Sequence, residues 1–324
     1  MAKPLVVLLH SARFVPPDVL AFLEEFVPSG FRWQALEQGA PPPTRQLAFA
    51  EAAYMFAYPG DPTPEELTTA RHLKLFQLLS AGHDWLDLDV FRRCGVPVAS
   101  NDGSNAVSTA EHAVLLVLAL LKQLPRHHQA TAGGEWLGMA NTMQMRELRG
   151  KCVGLVGFGH IAQHVARRLR AFEVTLLYTK PRRAAPDLER SLGVTYRPLD
   201  ELLIESDILS LHTPLQPQTR GMIDARALAL MRPGSWLVNT ARGALVDEAA
   251  LLDALTHGHL GGAGLDVFAH EPLDPDSPLL RLPNVVLTPH IAGVTRDTWA
   301  HRIALAWSNV KRIEATQPPL SRIA

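Results

Sequence analysis

Residues 151–162 read KCVGLVGFGHIA, an apolar run that passes straight into Gly157, Gly159 and Ala162, with a helical pattern continuing to Arg170. A buried strand turning into a helix through GxGxxA is the arrangement that receives a dinucleotide pyrophosphate. Each position has a physical task. Gly157 permits the tight strand-to-helix turn, Gly159 lets the phosphates approach the backbone, and Ala162 is small enough for the helix to lie close on the strand. The first helical residues, His160 and Ile161, present their N–H groups to the phosphates. A lone GxGxxG is also an ordinary tight turn; the strand before it and the helix after it favour the dinucleotide reading.

About twenty residues after the glycines, at the end of the next strand over 174–178, folds of this kind place a carboxylate on the ribose 2′-hydroxyl. Thr179 stands there instead, followed by Lys180, Pro181, Arg182 and Arg183. A hydroxyl and positive charge suit a 2′-phosphate, which a carboxylate would repel, so NADP is expected ahead of NAD. The plain alternative is a solvated basic turn.

Outward from this motif, short apolar runs alternate with longer helical stretches, the trace of parallel sheets covered by helices. The expected fold class is α/β, with two Rossmann-like doubly wound parallel-sheet domains and a cleft between them. Strands are expected over 5–9, 53–57 and 73–79, and a long apolar helix from Asn105 to about Leu124. A strand over 151–156 and five further strand–helix alternations ending at 285–287 follow. A last helix over 296–315 needs somewhere to bury its apolar face and is expected to return to the first unit. The expected division is 1–103 with 292–324 as a substrate domain and 104–291 as the dinucleotide-binding domain.

A length of 324 residues exceeds what one compact core usually holds and suits two domains. Hydrophobic residues at 47% and charged residues at 19% describe a globular chain. Lys+Arg at 31 against Asp+Glu at 32 gives a net charge of -1, so no global positive field draws the protein to phosphate backbones, and no nucleic acid is expected as a partner. Cys94 and Cys152 form no CxxC pair, so neither a disulfide framework nor a thiolate metal site is expected, and a reducing cytoplasmic setting fits. His160 and His164 are spaced i, i+4, but Ile161 occupies the place of the Glu in HExxH, and no metal is expected. The short run at 5–9 leads into polar residues and prolines and reads as a strand, not a signal segment. The longest apolar run, 113–121, is about half a membrane span, so no membrane is expected.

Three further stretches carry chemistry: NTARG at 239–243, GLDVFAHEP at 264–272 and TPHIAG at 288–293. Each lies at the expected C-terminal end of a strand (236–239, 264–268 and 285–288), where open α/β sheets place ligands. Arg242 offers a fixed fork of donors suited to a carboxylate, with Thr240 beside it on the cofactor side. Asp266 is expected on its strand, Glu271 just beyond it, and His290 after Pro289, so that Glu271 and His290 can meet. A carboxylate on an imidazole orients the ring, and nearby negative charge favours an imidazolium, which suits a group that must protonate a carbonyl oxygen. Singly, an Arg, Glu or His on a loop is more often a surface residue; their joint spacing is the signal.

These motifs, with LLSAGHDWLDLD, AVSTAEHAVLLVLAL, LHTPLQPQTRGMI and NVVLTPHIAGVT in order along the chain, resemble the D-isomer-specific 2-hydroxyacid dehydrogenase family, in its glyoxylate/hydroxypyruvate reductase-like branch. The likeness covers nearly the whole chain beyond about Leu73. It implies a catalytic set of Arg242, Glu271 and His290, with Asp266 against the nicotinamide and Pro214 and Thr219 beside the cofactor. It further implies that the backbone N–H groups of Ser80, Ala81 and Gly82, with Arg242 and His290, hold the substrate. The implied activity is reduction of a small 2-oxo acid to the D-2-hydroxy acid with NAD(P)H, the hydride from nicotinamide C4 and the proton from His290. A split substrate domain and a homodimer built through the long helix are implied as well. Ala162 in place of the third glycine changes little, whereas Thr179 departs from the family's acidic ribose ligand. A formate dehydrogenase would carry Gln where Glu271 stands, and a phosphoglycerate dehydrogenase often adds a regulatory domain that this length does not hold. The rival class is a dinucleotide-sensing, non-catalytic binding protein of the corepressor-like type, distinguished by absence of turnover.

Overall fold

The computed structural model describes residues 3–324, and the chain forms two compact units. One contains the residues up to Asn105 together with Val294–Ala324; the other is the contiguous stretch Ala106–Gly293.

In the first unit the strands are β1 (Leu5–His10), β2 (Arg32–Glu37), β3 (Ala52–Tyr58), β4 (Leu75–Leu78) and β5 (Val98–Ala99). Helices α1 (Pro17–Glu24), α2 (Pro42–Glu51), α3 (Pro64–Thr69) and α4 (Leu88–Cys94) connect them. The sheet order is β2-β1-β3-β4-β5 with every pair parallel. β1, LVVLLH, is buried along its whole length, as a strand covered on both faces must be. The first three helices each place a proline in the first turn, where the missing N–H has no intrahelical acceptor to lose. β2, RWQALE, has no counterpart among the expected strands: it is an edge strand, half exposed, and its residues lack a clear apolar face.

The second unit opens with α5 (Ala106–Leu121) and α6 (Leu124–Ala132). Then follow β6 (Cys152–Val156), α7 (His160–Leu169), β7 (Thr175–Thr179), α8 (Pro186–Leu192), β8 (Val194–Tyr196), α9 (Leu199–Glu205) and β9 (Ile208–Leu211). The unit is completed by α10 (Ala225–Leu230), β10 (Ser235–Asn239), α11 (Glu248–Thr256), β11 (Leu260–Leu265) and β12 (Val285–Leu287). The seven-stranded sheet, β12-β11-β10-β9-β6-β7-β8, is parallel throughout. Six strands follow β6, one more than the alternation suggests; the edge strand β8 is only the tripeptide VTY. Strand order reverses between β6 and β9, the switch point at whose C-terminal edge doubly wound sheets bind ligands.

Most strands shift by only one or two residues from their expected spans; β11 shifts furthest. The pattern predicts a strand over 264–268 carrying Asp266, but β11 ends at Leu265 and Asp266 lies just beyond it. The strand is hidden by its glycines, LGGAGL, whose low strand propensity reflects the side chains they lack. Their absence is required by packing: a Cβ on Gly264 would lie 3.0 Å from Leu116 Cβ on α5, and one on Gly262 would lie 2.5 Å from the Asn284 carbonyl oxygen.

The chain then returns to the first unit as α12 (Arg296–Glu314), capped by Thr295 Oγ1 accepting from the Thr298 N–H. Its buried face, Trp299, Ile303, Ala306, Trp307 and Val310, packs in one core cluster with Val6, Leu8, Tyr54 and Phe56 of β1 and β3. Among the described residues no single helix is long and apolar enough to cross a membrane; α5 and α6 reach that length only together, across a 69° bend.

Candidate active site

The glycine motif builds an open cradle at the switch point. Gly157 takes φ of 91°, and a Cβ there would lie 2.6 Å from the His212 carbonyl oxygen at the end of β9, so only glycine fits. Its N–H donates to Thr179 O at 2.9 Å, tying the turn to the end of β7. Gly159 caps α7 without a side-chain cap, and a Cβ there would meet nothing within 4 Å. The first turn of α7 is therefore open to an anion. Thr240, at the end of β10, is 7% exposed and its buried Oγ1 has no partner among the described residues. Open space at Gly159 and an orphaned hydroxyl at Thr240 both fit a dinucleotide lying along this edge. Thr219 Oγ1 donates to Pro214 O at 2.8 Å and accepts from the Gln216 N–H at 2.8 Å, closing the loop after β9. His212, not singled out by its sequence, sits at the same edge; its Nε2 meets Ser210 Oγ at 2.9 Å, and burial pushes its pKa down to about 3, so it is a neutral group.

Beyond β7 the basic turn is divided. Arg183 is held by Glu189 of α8 through Nε at 2.8 Å and Nη2 at 2.9 Å, while Tyr178 Oη donates to the same carboxylate at 2.6 Å. The Arg183 guanidinium and then the Tyr178 hydroxyl hold the Glu189 carboxyl down to about 2. Lys180 and Arg182 form no ion pair among the described residues.

Further along the same sheet edge the structure brings together the acid–base pair read from the sequence. His290 Nδ1 lies 2.7 Å from Glu271 Oε2. The other oxygen, Oε1, accepts the Phe268 N–H at 3.0 Å, so the carboxylate is aimed by its own loop. Burial alone would raise the Glu271 carboxyl, but the His290 contact, the Phe268 N–H and nearby Arg242 more than offset it and hold the group below its ordinary value. Arg242 follows β10 and is positioned by Asn239, whose Nδ2 donates to the Arg242 carbonyl at 2.9 Å and whose Oδ1 accepts the Ala241 N–H at 3.0 Å. Gly243 is forced: a Cβ there would lie 1.9 Å from the carbonyl carbon of Phe268, in the loop that leads to Glu271. Arg242 and Glu271 are thus set beside one another by backbone packed on backbone.

Asp266 lies just beyond the end of β11. It is 0% exposed, beneath the His290 loop, not on an open face. Its Oδ1 accepts from Thr288 Oγ1 at 2.6 Å and the Ile291 N–H at 2.9 Å, and its Oδ2 from the Ala292 N–H at 2.8 Å. His112 of α5 adds a contact from Nε2 to Thr288 Oγ1 at 2.9 Å. The Asp266 carbonyl oxygen also accepts the His290 N–H at 2.8 Å. His290 itself sits at φ of 57°, a conformation that a non-glycine residue keeps only when its surroundings hold it. Asp266 is that holder. Ser80, Ala81 and Gly82 belong to the first unit, in the turn after β4, where Ser80 Oγ donates to Gly82 O at 2.8 Å. Among the described residues no three His, Cys, Asp or Glu side chains cluster so as to hold a metal ion.

A doubly wound sheet with an open glycine cradle at its switch point, and an arginine, a glutamate and a histidine on neighbouring strand ends, defines a dinucleotide-binding protein of the dehydrogenase class. Residues 114–292 match the family model described as D-isomer specific 2-hydroxyacid dehydrogenase, NAD binding domain. A glyoxylate reductase of Aeropyrum pernix is 39% identical over 249 residues, covering 75% of this chain and 74% of its own length. A D-3-phosphoglycerate dehydrogenase of Mycobacterium bovis is 43% identical over 237 residues, 72% of this chain but only 43% of that longer protein. Among solved structures, a glyoxylate reductase from Paecilomyes thermophila superposes with a TM-score of 0.82 at 28% identity, covering 99% of both chains. The chain belongs to the D-isomer specific 2-hydroxyacid dehydrogenase family.

Proposed function

We propose that this protein reduces a small 2-oxo acid to the corresponding D-2-hydroxy acid at the expense of a reduced nicotinamide dinucleotide. The observation that carries the reading is the 2.7 Å contact between His290 Nδ1 and Glu271 Oε2, with Arg242 close enough to act on the same carboxylate. The bound nicotinamide supplies the hydride. With Nδ1 turned to Glu271, the His290 Nε2 is the atom left to deliver a proton to the substrate's carbonyl oxygen. Arg242 offers its fork to the substrate carboxylate and a positive charge to the oxygen on which negative charge develops. Asp266 keeps the His290 loop in place throughout. The names of the Aeropyrum and Paecilomyes relatives support a substrate of the glyoxylate kind.

The test follows NADPH and NADH absorbance against glyoxylate, hydroxypyruvate and bulkier 2-oxo acids. Arg242→Ala is expected to lower kcat/KM by about 10²–10³-fold, the range for losing one preorganised donor to a developing oxyanion, while dinucleotide affinity stays unchanged. Normal turnover by this variant would exclude Arg242, and oxidation of neither cofactor by any acid in the wild-type protein would leave a binding protein in place of an enzyme.

The cofactor we assign is NADP, with NAD the weaker alternative. Lys180 and Arg182 stand uncompensated beside Thr179, while Arg183 is occupied by Glu189. The double variant Lys180→Glu, Arg182→Glu is expected to lower the ratio of kcat/KM for NADPH over NADH by about 10- to 100-fold, since one hydrogen bond to a charged group contributes about 1.5–3 kcal/mol. An unchanged ratio would assign NAD.

We also assign a homodimer formed through α5 and the segment after it. Leu115 and Val107 on α5, and Trp136, Met139 and Met143 beyond α6, are large apolar side chains left exposed, Trp136 at 85%. Light scattering should return twice the chain mass of 35.5 kDa, and a single-chain mass would refute the assignment.

A further inference from the structure

From Ala113 to Leu121 α5 is wholly apolar, and its polar residues are gathered in the turns before that run. Glu111 is engaged by Arg168 of α7, whose Nη2 donates to its Oε1 at 2.8 Å. Ser108 and His112 stand four residues apart, on one face of the helix, and both reach the short loop 288–292 that carries His290. Ser108 Oγ donates to the Ala292 carbonyl at 2.8 Å, and His112 Nε2 meets Thr288 Oγ1 at 2.9 Å. The helix enters its apolar core through Ala113, Leu116, Val117 and Leu120, and His112 is not a member of that core.

Counting protons fixes the direction of the His112 contact. The Thr288 hydroxyl has one proton and gives it to Asp266 Oδ1 at 2.6 Å, so towards His112 it accepts, and His112 Nε2 carries the hydrogen. The same nitrogen lies 3.7 Å from Asp266 Oδ1. A chain of hydrogen bonds thus runs from the helix through Thr288 to a buried carboxylate that takes the Ile291 and Ala292 N–H groups, while the main-chain oxygen of Asp266 takes the His290 N–H. His290 needs such support. Its φ of 57° is left-handed backbone on a residue with a side chain, a conformation that relaxes unless the bonds around it hold. Its side chain is 48% exposed, so packing does little to aim the ring, and the aim rests on Glu271 at Nδ1 and on the backbone beneath.

We propose that His112, seconded by Ser108, is a positioning residue for proton transfer: through Thr288 and Asp266 it holds the His290 backbone in the conformation that turns Nδ1 to Glu271 and leaves Nε2 to the substrate. The inference rests on the reading of His290 as the proton donor and adds a group on a separate element that acts only through it. A helix position whose neighbours serve the core here serves the loop, by its N–H and not by its bulk.

The experiment compares His112→Leu and His112→Gln in the full chain, with Glu111→Gln as a control on the same helix, by turnover of NADPH with glyoxylate and by nuclear magnetic resonance of the His290 ring. His112→Leu is expected to lower kcat by about 10- to 100-fold, the scale of a small misplacement of a reacting group, with KM and NADPH affinity unchanged. His112→Gln keeps a side-chain N–H and is expected to restore most of that loss, and Glu111→Gln to alter nothing. In a His290→Gln background His112→Leu should cost nothing further, because the two act as one unit. The nitrogen shifts of the His290 ring, read through its carbon-bound protons, should show the hydrogen on Nδ1 in the wild type and in His112→Gln, and a mixture of forms in His112→Leu. Unchanged kcat or unchanged ring shifts in His112→Leu would overturn the inference, as would an equal loss in the His290→Gln background. A changed mass by light scattering would place His112 in a contact between subunits and overturn it too. If His112→Leu does not fold, Ser108→Ala carries the test, and unchanged kcat with unchanged ring shifts in that variant overturns the inference. The resonance measurement needs no turnover, so failure here is distinguishable from failure of the dehydrogenase reading.

Discussion

His290→Gln is expected to lower kcat about 10³-fold, within the range of about 10²–10⁴ for removing a positioned general acid, with little change in NADPH affinity. Glutamine occupies a similar place and still offers hydrogen-bonding atoms near Glu271, but it cannot deliver a proton. The pH profile supplies an independent check. Glu271 has its carboxyl below the ordinary value of 4.5, so its ionised form and its contact with His290 are complete above that value and are lost only as pH falls through the lower, folded one. An acid limb of kcat/KM in the weakly acidic range must therefore come from a group other than Glu271, and it should persist in Glu271→Gln at reduced rate. A His290→Gln protein that turns over at the wild-type rate would remove His290 from the mechanism.

Gly243→Ala is expected to be almost as damaging, although Gly243 touches no substrate. The added methyl would have to occupy a point 1.9 Å from the carbonyl carbon of Phe268 and 2.0 Å from its oxygen. Backbone cannot yield as a flexible side-chain tip does, so Arg242 and the loop bearing Glu271 must separate. Overpacking of this kind costs about 1–3 kcal/mol of stability, and a displacement of about 1 Å between reacting groups costs about 10²-fold in rate. We expect a folded protein with a lowered melting temperature, intact NADPH binding and kcat/KM down by about 10²-fold. The measurements are a thermal melt followed by steady-state assay. Full activity would show that Arg242 and Glu271 need not be held side by side.

The doubly wound sheet is legible in the sequence because β6 runs into GxGxxA with no intervening residues, and the strand ends carrying Arg242, Glu271 and His290 are legible from their motifs. What escapes depends on partners distant in the chain. The donors that hold the Asp266 carboxylate come from Thr288, Ile291 and Ala292, and nothing in 264–268 announces them. The glycines of β11 read as a weak strand because the reason for them, the close approach of Leu116 on α5, lies far back along the chain. Arg183 reads as equivalent to Lys180 and Arg182, and only the position of α8 shows that Glu189 takes it out of play. β2 escapes for another reason: an edge strand with little burial leaves little pattern.

The split of the first unit bears on how the chain acquires its structure at the ribosome. The second unit is one unbroken stretch, Ala106–Gly293, and can complete its core as soon as it has emerged. The first unit begins earlier yet must wait, because Trp299, Ile303, Trp307 and Val310, which pack with β1 and β3, are made only after the whole second unit. Until they arrive, Val6, Leu8 and Phe56 have only part of their cover, from α1, and present apolar sheet surface of the kind through which nascent chains aggregate. Early release short of α12 would thus yield a finished cofactor half attached to an unfinished, sticky one.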